Sequence, residues 1–436
     1  CVGKKNVINI LFKNILDASI AAFCFVFVGY GFAYGETAGG FIGTTNFALV
    51  DIYNGAGGGA SDGWVEWFFQ WAFAGAAATI VSGSVAERTK LEAYFVYSAV
   101  ISLWIYPVVV HWGWGTGWLS AWGARPDADG NARPILKGNS ESNGMIDFAG
   151  SGIVHMVGGC SGLMGAVFVG PRNGRFHPET GKPNPTPGHN SALMALGTSI
   201  LWFGWYGFNC GSTLVLAGAA NVAGKVAVTT TISAASGCMV ATILTRLIEK
   251  HFDIGVALNG ILAGLVGITA GCSVVDPWMA FLIGAIAAVI YYIAHHALLR
   301  LGVDDPLDAF PIHGCCGFWG LLAVGIFCTD NNVQYAGYPN VNTACGSGEQ
   351  FAVQLIGGLV IASWAVFNSG VTFAIIKYTM GIRVGADIEH EGLDVSEHGQ
   401  SGYNDATIQS NQVTILKEPP KSNQVAPTAP SNNFEG

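Results

Sequence analysis

Asp147-Phe-Ala-Gly-Ser-Gly-Ile-Val-His155 and Asp308-Ala-Phe-Pro-Ile-His313-Gly-Cys-Cys-Gly317 are the two stretches on which the reading of this chain turns. Each opens with an aspartate, embeds a histidine in apolar residues and continues into small ones. Gly162-Leu163 and Gly320-Leu321 follow their histidines at the same distance of seven and eight positions. Each stretch lies in an apolar run near the ~20 residues a membrane-spanning helix needs. At 1.5 Å per residue, His155 lies ~12 Å below Asp147, and His313 lies ~13 Å from Asp304. If the two helices run in opposite directions through a core of ~30 Å, the imidazoles sit within ~5 Å of one level. Two readings stay open at this point: a shared mid-membrane site, or two separate histidines each bonded to a backbone carbonyl. The aspartates read as N-caps, since a carboxylate stabilises the positive end of a helix.

The rest of the chain is built to match. Of 436 residues, 51% are hydrophobic and 11% charged, against about 25% charged in an average soluble domain. Too few charges remain to cover a soluble surface. There are 61 glycines without a Gly-X-Y period, which excludes collagen, and the apolarity excludes a disordered chain. Small residues let membrane helices approach closely. The class is therefore an all-α, polytopic membrane helix bundle. No basic stretch suits nucleic acid, and the ten cysteines form no C-x-x-C pair.

Ten spans are predicted, at 9–34, 64–85, 91–111, 147–170, 191–213, 222–248, 254–272, 277–299, 309–328 and 351–380. With the N-terminus in the cytoplasm, only Arg125, Arg133, Lys137 and Lys225 of the 19 lysines and arginines face outward. That asymmetry fixes the orientation and puts both termini inside. It also makes the two histidine helices antiparallel, the signature of an inverted repeat with its substrate path near the midplane. Residues 1–380 form the membrane domain, 381–400 a polar cytoplasmic segment, and 401–436 a disordered tail rich in Asn, Ser, Pro and Gln. Lys13 and Asp17, four apart, are expected to pair and snorkel. Glu87 and Arg88 are expected to anchor the second span at the inner surface, with His295 and His296 interfacial. A start at Cys1 followed at once by an apolar run reads as a fragment or a trimmed chain.

Two glycine-aromatic runs fall on the outer side, His111-Trp-Gly-Trp114 and Trp202-Phe-Gly-Trp205-Tyr-Gly-Phe208-Asn-Cys-Gly-Ser212; Phe73 lies about a third of the way into the second span. Interfacial belts account for most of the 13 tryptophans. The glycines around Trp114 and Phe208 suit a backbone bent around a small guest. A cation there would be held by ring faces and by the Ser212 hydroxyl.

At these residues the sequence resembles the ammonium transporter (Amt/Mep/Rh) family, from Lys4-Lys5-Asn6 to about Gly399. The motifs are Asp147-Phe-Ala-Gly with His155, Gly204-Trp-Tyr-Gly-Phe208-Asn-Cys-Gly-Ser212, Asp304-Asp-Pro-Leu-Asp308 with His313, and Gly392-Leu-Asp-Val-Ser396-Glu-His-Gly399. The resemblance implies an ammonium uptake transporter or channel of the plasma membrane, a homotrimer with one pore per subunit, taking ammonium or methylammonium in a lipid bilayer. It implies substrate recruitment by Phe73, Trp114 and Ser212 with support from Asp147, a gate of Phe73 and Phe208, and paired pore histidines His155 and His313. Ser396 becomes a regulatory phosphosite candidate in a tail that contacts the neighbouring subunit. Trp114 favours the Amt branch, with a plant or algal flavour. Eleven spans are implied, with the N-terminus outside, so a first helix is expected to precede Cys1. No cofactor and no metal are implied. Two other classes compete: an ammonium sensor using the same pore, and a metal-dependent membrane enzyme. The enzyme lacks support, because no carboxylate or second histidine stands at ligand spacing beside His155 or His313.

Overall fold

The computed structural model describes residues 1–50, 52, 63–122, 144–215, 217–338, 345–346 and 348–403. The expected tail beyond 403 lies outside the described residues, as do Arg125, Arg133, Lys137, Lys417 and Lys421. The chain is helical. Its principal helices are α1 Lys4–Tyr34, α2 Gly63–Val85, α3 Leu91–Gly113, α4 Ser151–Val169, α5 Ser191–Gly211, α6 Ala220–Ile248, α7 Ile254–Thr269, α8 Pro277–Arg300, α9 Phe310–Phe327 and α10 Glu349–Thr379. Each of the ten expected spans coincides with one of these. Eight are long and apolar enough to cross a membrane. The other two are α7, whose 16 residues reach only ~24 Å, and α5, whose run of Gly, Ser, Thr, Asn and Tyr dilutes its hydropathy. A polytopic helical bundle results. Its outward surface is apolar, with Phe203 79% and Tyr378 81% exposed, as lipid contact requires.

The two histidine helices cross where neither carries a side chain. A Cβ on Gly159 would meet the Gly314 nitrogen at 2.2 Å, and one on Gly317 would meet the Ser151 carbonyl at 2.4 Å. Both helices also open with a wide π-helical turn, Ser151–Met156 and Phe310–Cys315, and each turn holds the histidine. Such turns displace a side chain from the ordinary helical register and recur at functional sites.

The N-caps differ from the expectation in one respect. Asp147 does cap α4: its two carboxylate oxygens accept from the N–H groups of Gly150, Ser151, Gly152 and Ile153 at 2.8–3.0 Å. The counterpart at α9 is Asp305, not Asp308. Asp305 accepts from the Phe310 N–H, five residues on, at 2.8 Å, and lies eight residues before His313 as Asp147 lies eight before His155. Asp308 adopts φ 56° and turns its carboxylate toward α7 and α8. There it accepts from Asn259 at 3.1 Å and Tyr291 at 3.2 Å, and meets His295 Nδ1 at 2.6 Å.

Two further expectations are corrected, and one bond was not anticipated. Lys13 and Asp17 are both 1% exposed and neither snorkels nor pairs at contact distance. Lys13 donates to the Thr89 carbonyl at 2.9 Å, while Asp17 accepts from Ser98 at 2.8 Å and from the Tyr94 hydroxyl. Arg88 is fully buried and donates to the carbonyls of Asp304 at 2.7 Å, Ala86 at 2.9 Å and Gly170 at 3.1 Å, so it joins loops instead of anchoring to lipid. Around it Asp304 accepts from the Arg172 side chain at 2.8 and 3.0 Å and from Arg175 at 3.2 Å, and Arg172 also pairs with Glu87. Burial alone would raise the Asp304 pKa; Arg172 and Arg88 overcome it and hold the carboxyl down at about 2. Last, Cys328 and Cys345 form a disulfide from the end of α9 to the approach of α10, which no cysteine spacing signalled.

Residues 381–400 form two short helices, α11 Ala386–Glu391 and α12 Leu393–His398. They dock on their own chain. Asp394 caps α1 through the N–H groups of Val7 at 3.0 Å and Asn9 at 2.9 Å. Lys5 donates to the carbonyls of Glu389 and His390 at 2.7 and 2.6 Å, and Asn9 donates to Glu397 at 2.5 Å. Ser396 is exposed beside this joint.

Candidate functional site

Four helices deliver one column of rings. Phe73 of α2 stacks on Phe208 of α5, with centroids 4.0 Å apart and planes at 24°. Below them Phe208 faces His155 at 5.3 Å, and His155 faces His313 at 5.2 Å with planes at 23°. The two Nδ1 atoms are 3.2 Å apart, so one proton can bridge them. His155 is 3% exposed and its Nε2 has no partner within the protein. Trp205 flanks His155 as a parallel plane at 5.1 Å, fixed by its indole N–H donating to Thr269 at 2.9 Å. The imidazoles therefore meet, and the reading of two histidines bonded separately to carbonyls does not describe them.

Above the Phe73–Phe208 pair opens a cavity of about 450 Å³. Its lining includes Phe73, Trp114 and Ser212. Trp114 sets its edge against Phe73 at 5.6 Å and 81°. Its indole N–H donates to the Asp147 carbonyl at 2.6 Å, which holds the ring over the cavity floor. Ser212 donates back to the Phe208 carbonyl at 2.8 Å, leaving its oxygen lone pairs for a guest. Asp147 is 3% exposed and both its carboxylate oxygens are engaged by the α4 N-terminus; it shapes this place without lining it. Sequence reasoning missed Glu66, Gln70 and Tyr34, which also line the cavity. The signal was available: Glu66, Gln70 and Phe73 share one face of α2 at i, i+4 and i+7.

Chemically the arrangement is an aromatic cup over a buried column of stacked rings. Ring faces attract a small cation, and neutral imidazoles in contact can accept and return a proton. Among the described residues no group of three or more His, Cys, Asp or Glu is placed to hold a metal ion.

Comparison with known proteins agrees in fold and sequence. Residues 1–403 match the family described as Ammonium Transporter Family. The chain is 40% identical over 421 residues to Ammonium transporter 1 member 1 of Arabidopsis thaliana, covering 92% of this chain and 81% of that protein. It is 41% identical over 402 residues to Ammonium transporter Amt2 of Archaeoglobus fulgidus, covering 92% and 82%. A solved structure described as Sensor Amt Protein superposes with TM-score 0.77 at 32% identity, over 91% of each chain. Saccharomyces cerevisiae Mep2 does so with TM-score 0.75 at 26% identity, over 87% and 80%. A continuous match over the membrane-spanning bundle, together with identity at this level, means that the chain belongs to the ammonium transporter family.

Proposed function

We propose that the chain is an ammonium uptake transporter or channel of the plasma membrane. Trp114, Phe73 and Ser212 recruit ammonium or methylammonium at the outer mouth, Phe73 and Phe208 gate the pore, and His155 and His313 line it. Its basic end, with Arg88 and the C-terminal segment, faces the cytoplasm, and three chains assemble with one pore each. The observation that carries this reading is the continuous ring column from Phe73 to His313 beneath the aromatic cavity.

Magnitudes set the mechanism. Cation–π contacts give about 0.5–2 kcal/mol each. Moving a bare ion of this size into low dielectric costs on the order of 20 kcal/mol before relaxation. The mouth can collect the cation but cannot carry it between stacked phenyl rings. Deprotonation costs about 1.4 kcal/mol per pKa unit above ambient pH, far less than the ion's desolvation. The released proton goes to water at the outer mouth or to the His155–His313 pair, neutral ammonia passes the gate, and the same pair offers it donors and acceptors in place of water. The test is methylammonium uptake by liposomes holding the purified chain. Uptake that saturates, and falls or admits alkali cations in His155→Ala or His313→Ala, supports the reading; empty-liposome flux rules it out. A second reading, an ammonium sensor on the same pore, draws support from the fold shared with the protein described as Sensor Amt Protein. Uptake measured against a signalling output separates the two.

A further inference from the structure

The cavity in front of the ring column holds a feature that the aromatic cup does not need. Among its described lining residues Glu66 is the one charged side chain. It stands on the same face of α2 as Gln70 and Phe73, about 10 Å along the axis from Phe73. Its Oε2 accepts from the Tyr30 hydroxyl at 3.1 Å, which fixes the carboxylate against α1. Two other polar groups of the same wall have no partner within the protein: Gln70 Oε1, on a side chain only 3% exposed, and the Tyr34 hydroxyl. The side chains of Glu66, Gln70 and Tyr34 thus line one small cavity, with no lysine or arginine among its described lining to neutralise the carboxylate.

We infer that Glu66, with Gln70 and Tyr34, forms a separate cation-holding site that loads the aromatic cup. The inference rests on the transport reading above. Its ligand is a small monovalent cation bearing N–H donors, ammonium or methylammonium, whose hydrogens match three acceptors. The aromatic faces select by polarisability and size; the carboxylate supplies charge, which concentrates cations at a cleft lined by one sign. The residue is a specificity and affinity determinant, since it holds the ion before any proton is transferred.

The test is concentration-dependent uptake of methylammonium by proteoliposomes of the full chain. Glu66→Gln keeps an acceptor for Tyr30, removes the charge and turns one carboxylate oxygen into an NH2 donor. It is expected to raise KM about tenfold, at the low end of charge focusing, with maximal flux unchanged. The wild-type KM is expected to rise with ionic strength and that of Glu66→Gln to be nearly flat. Glu66→Asp restores the charge and should recover most of the affinity. Tyr30→Phe breaks the tie to α1 but keeps the carboxylate, and should leave KM within about twofold. A wild-type KM in Glu66→Gln, or a Tyr30→Phe shift equal to that of Glu66→Gln, overturns the proposal: Glu66 would then only join two helices. No uptake by the unmodified protein would overturn the transport reading and this site together, whereas uptake with an unaltered Glu66→Gln KM overturns the site alone.

Discussion

Trp114 shows how one side chain serves two neighbours. Its indole N–H is committed to the Asp147 carbonyl and its ring to Phe73, so its face cannot swing away to lipid as a belt tryptophan's can. Trp114→Leu removes the face and leaves Asp147 free to cap α4 through its carboxylate. We expect the methylammonium KM to rise by about fivefold to thirtyfold, the equivalent of about 1–2 kcal/mol of lost cation–π attraction, and discrimination against potassium to weaken. Unchanged affinity and selectivity in a well-expressed variant would return Trp114 to the role of an anchor. Phe73, Phe208, Trp114 and Ser212 were singled out through their glycine-aromatic surroundings and the family resemblance, while helix rise and the charge count put His155 and His313 at one level and left open whether they meet. Glu66 was passed over although it shares a face of α2 with Phe73, because a lone carboxylate near a helix end reads as a solvated charge until a cavity is seen beside it.

Among the helices and loops, the pairing of α4 and α9 was readable from two histidines and the small residues after them, but the cap at α9 was not. Three aspartates, Asp304, Asp305 and Asp308, crowd that loop, and spacing cannot say which way each carboxylate turns. The structure divides them: Asp305 caps, Asp308 reaches α7 and α8, and Asp304 receives Arg172 and Arg175. Asp304 therefore ties the α8–α9 loop to the segment after α4. Asp304→Asn would leave two arginines short of a nearly buried partner, a loss of about 2–3 kcal/mol for a carboxyl held at about 2 in place of 3.8. The sign in pH follows from the lowered folded pKa. The carboxylate's contribution is complete above its ordinary value of 3.8 and is lost as pH falls through about 2. We expect a lower unfolding temperature for Asp304→Asn in detergent at pH 7, and a gap to wild type that closes between these values. A gap that persists at pH 2, or none at pH 7, would show that the loop is held by other contacts.

At the scale of the molecule, the C-terminal segment closes a circuit: α12 caps the first helix, and Glu389 receives Arg383 at 2.7 Å and the Asn173 N–H at 2.7 Å. Movement of α11 and α12 as one piece would therefore disturb α1 and the segment after α4 together. Phosphate on Ser396 adds a charge of about −1.5 to −2 beside Asp394 and Glu397, and we propose that it undocks α12 and closes the pore. Ser396→Asp should lower uptake, and Ser396→Ala should keep it. In mixed assemblies of wild-type and Ser396→Asp chains, a loss steeper than the mutant fraction supports gating across subunits. A proportional loss confines the effect to one chain, and no loss removes the switch. The opposite end of the bundle carries a different kind of information. Disulfides persist in oxidising surroundings, so the Cys328–Cys345 link agrees with the orientation expected from the lysines and arginines, which puts the stretch between α9 and α10 on the outer side. A preparation made under reducing conditions is expected to lack that one covalent bond, and a count of free thiols on the unfolded chain would rise from eight to ten.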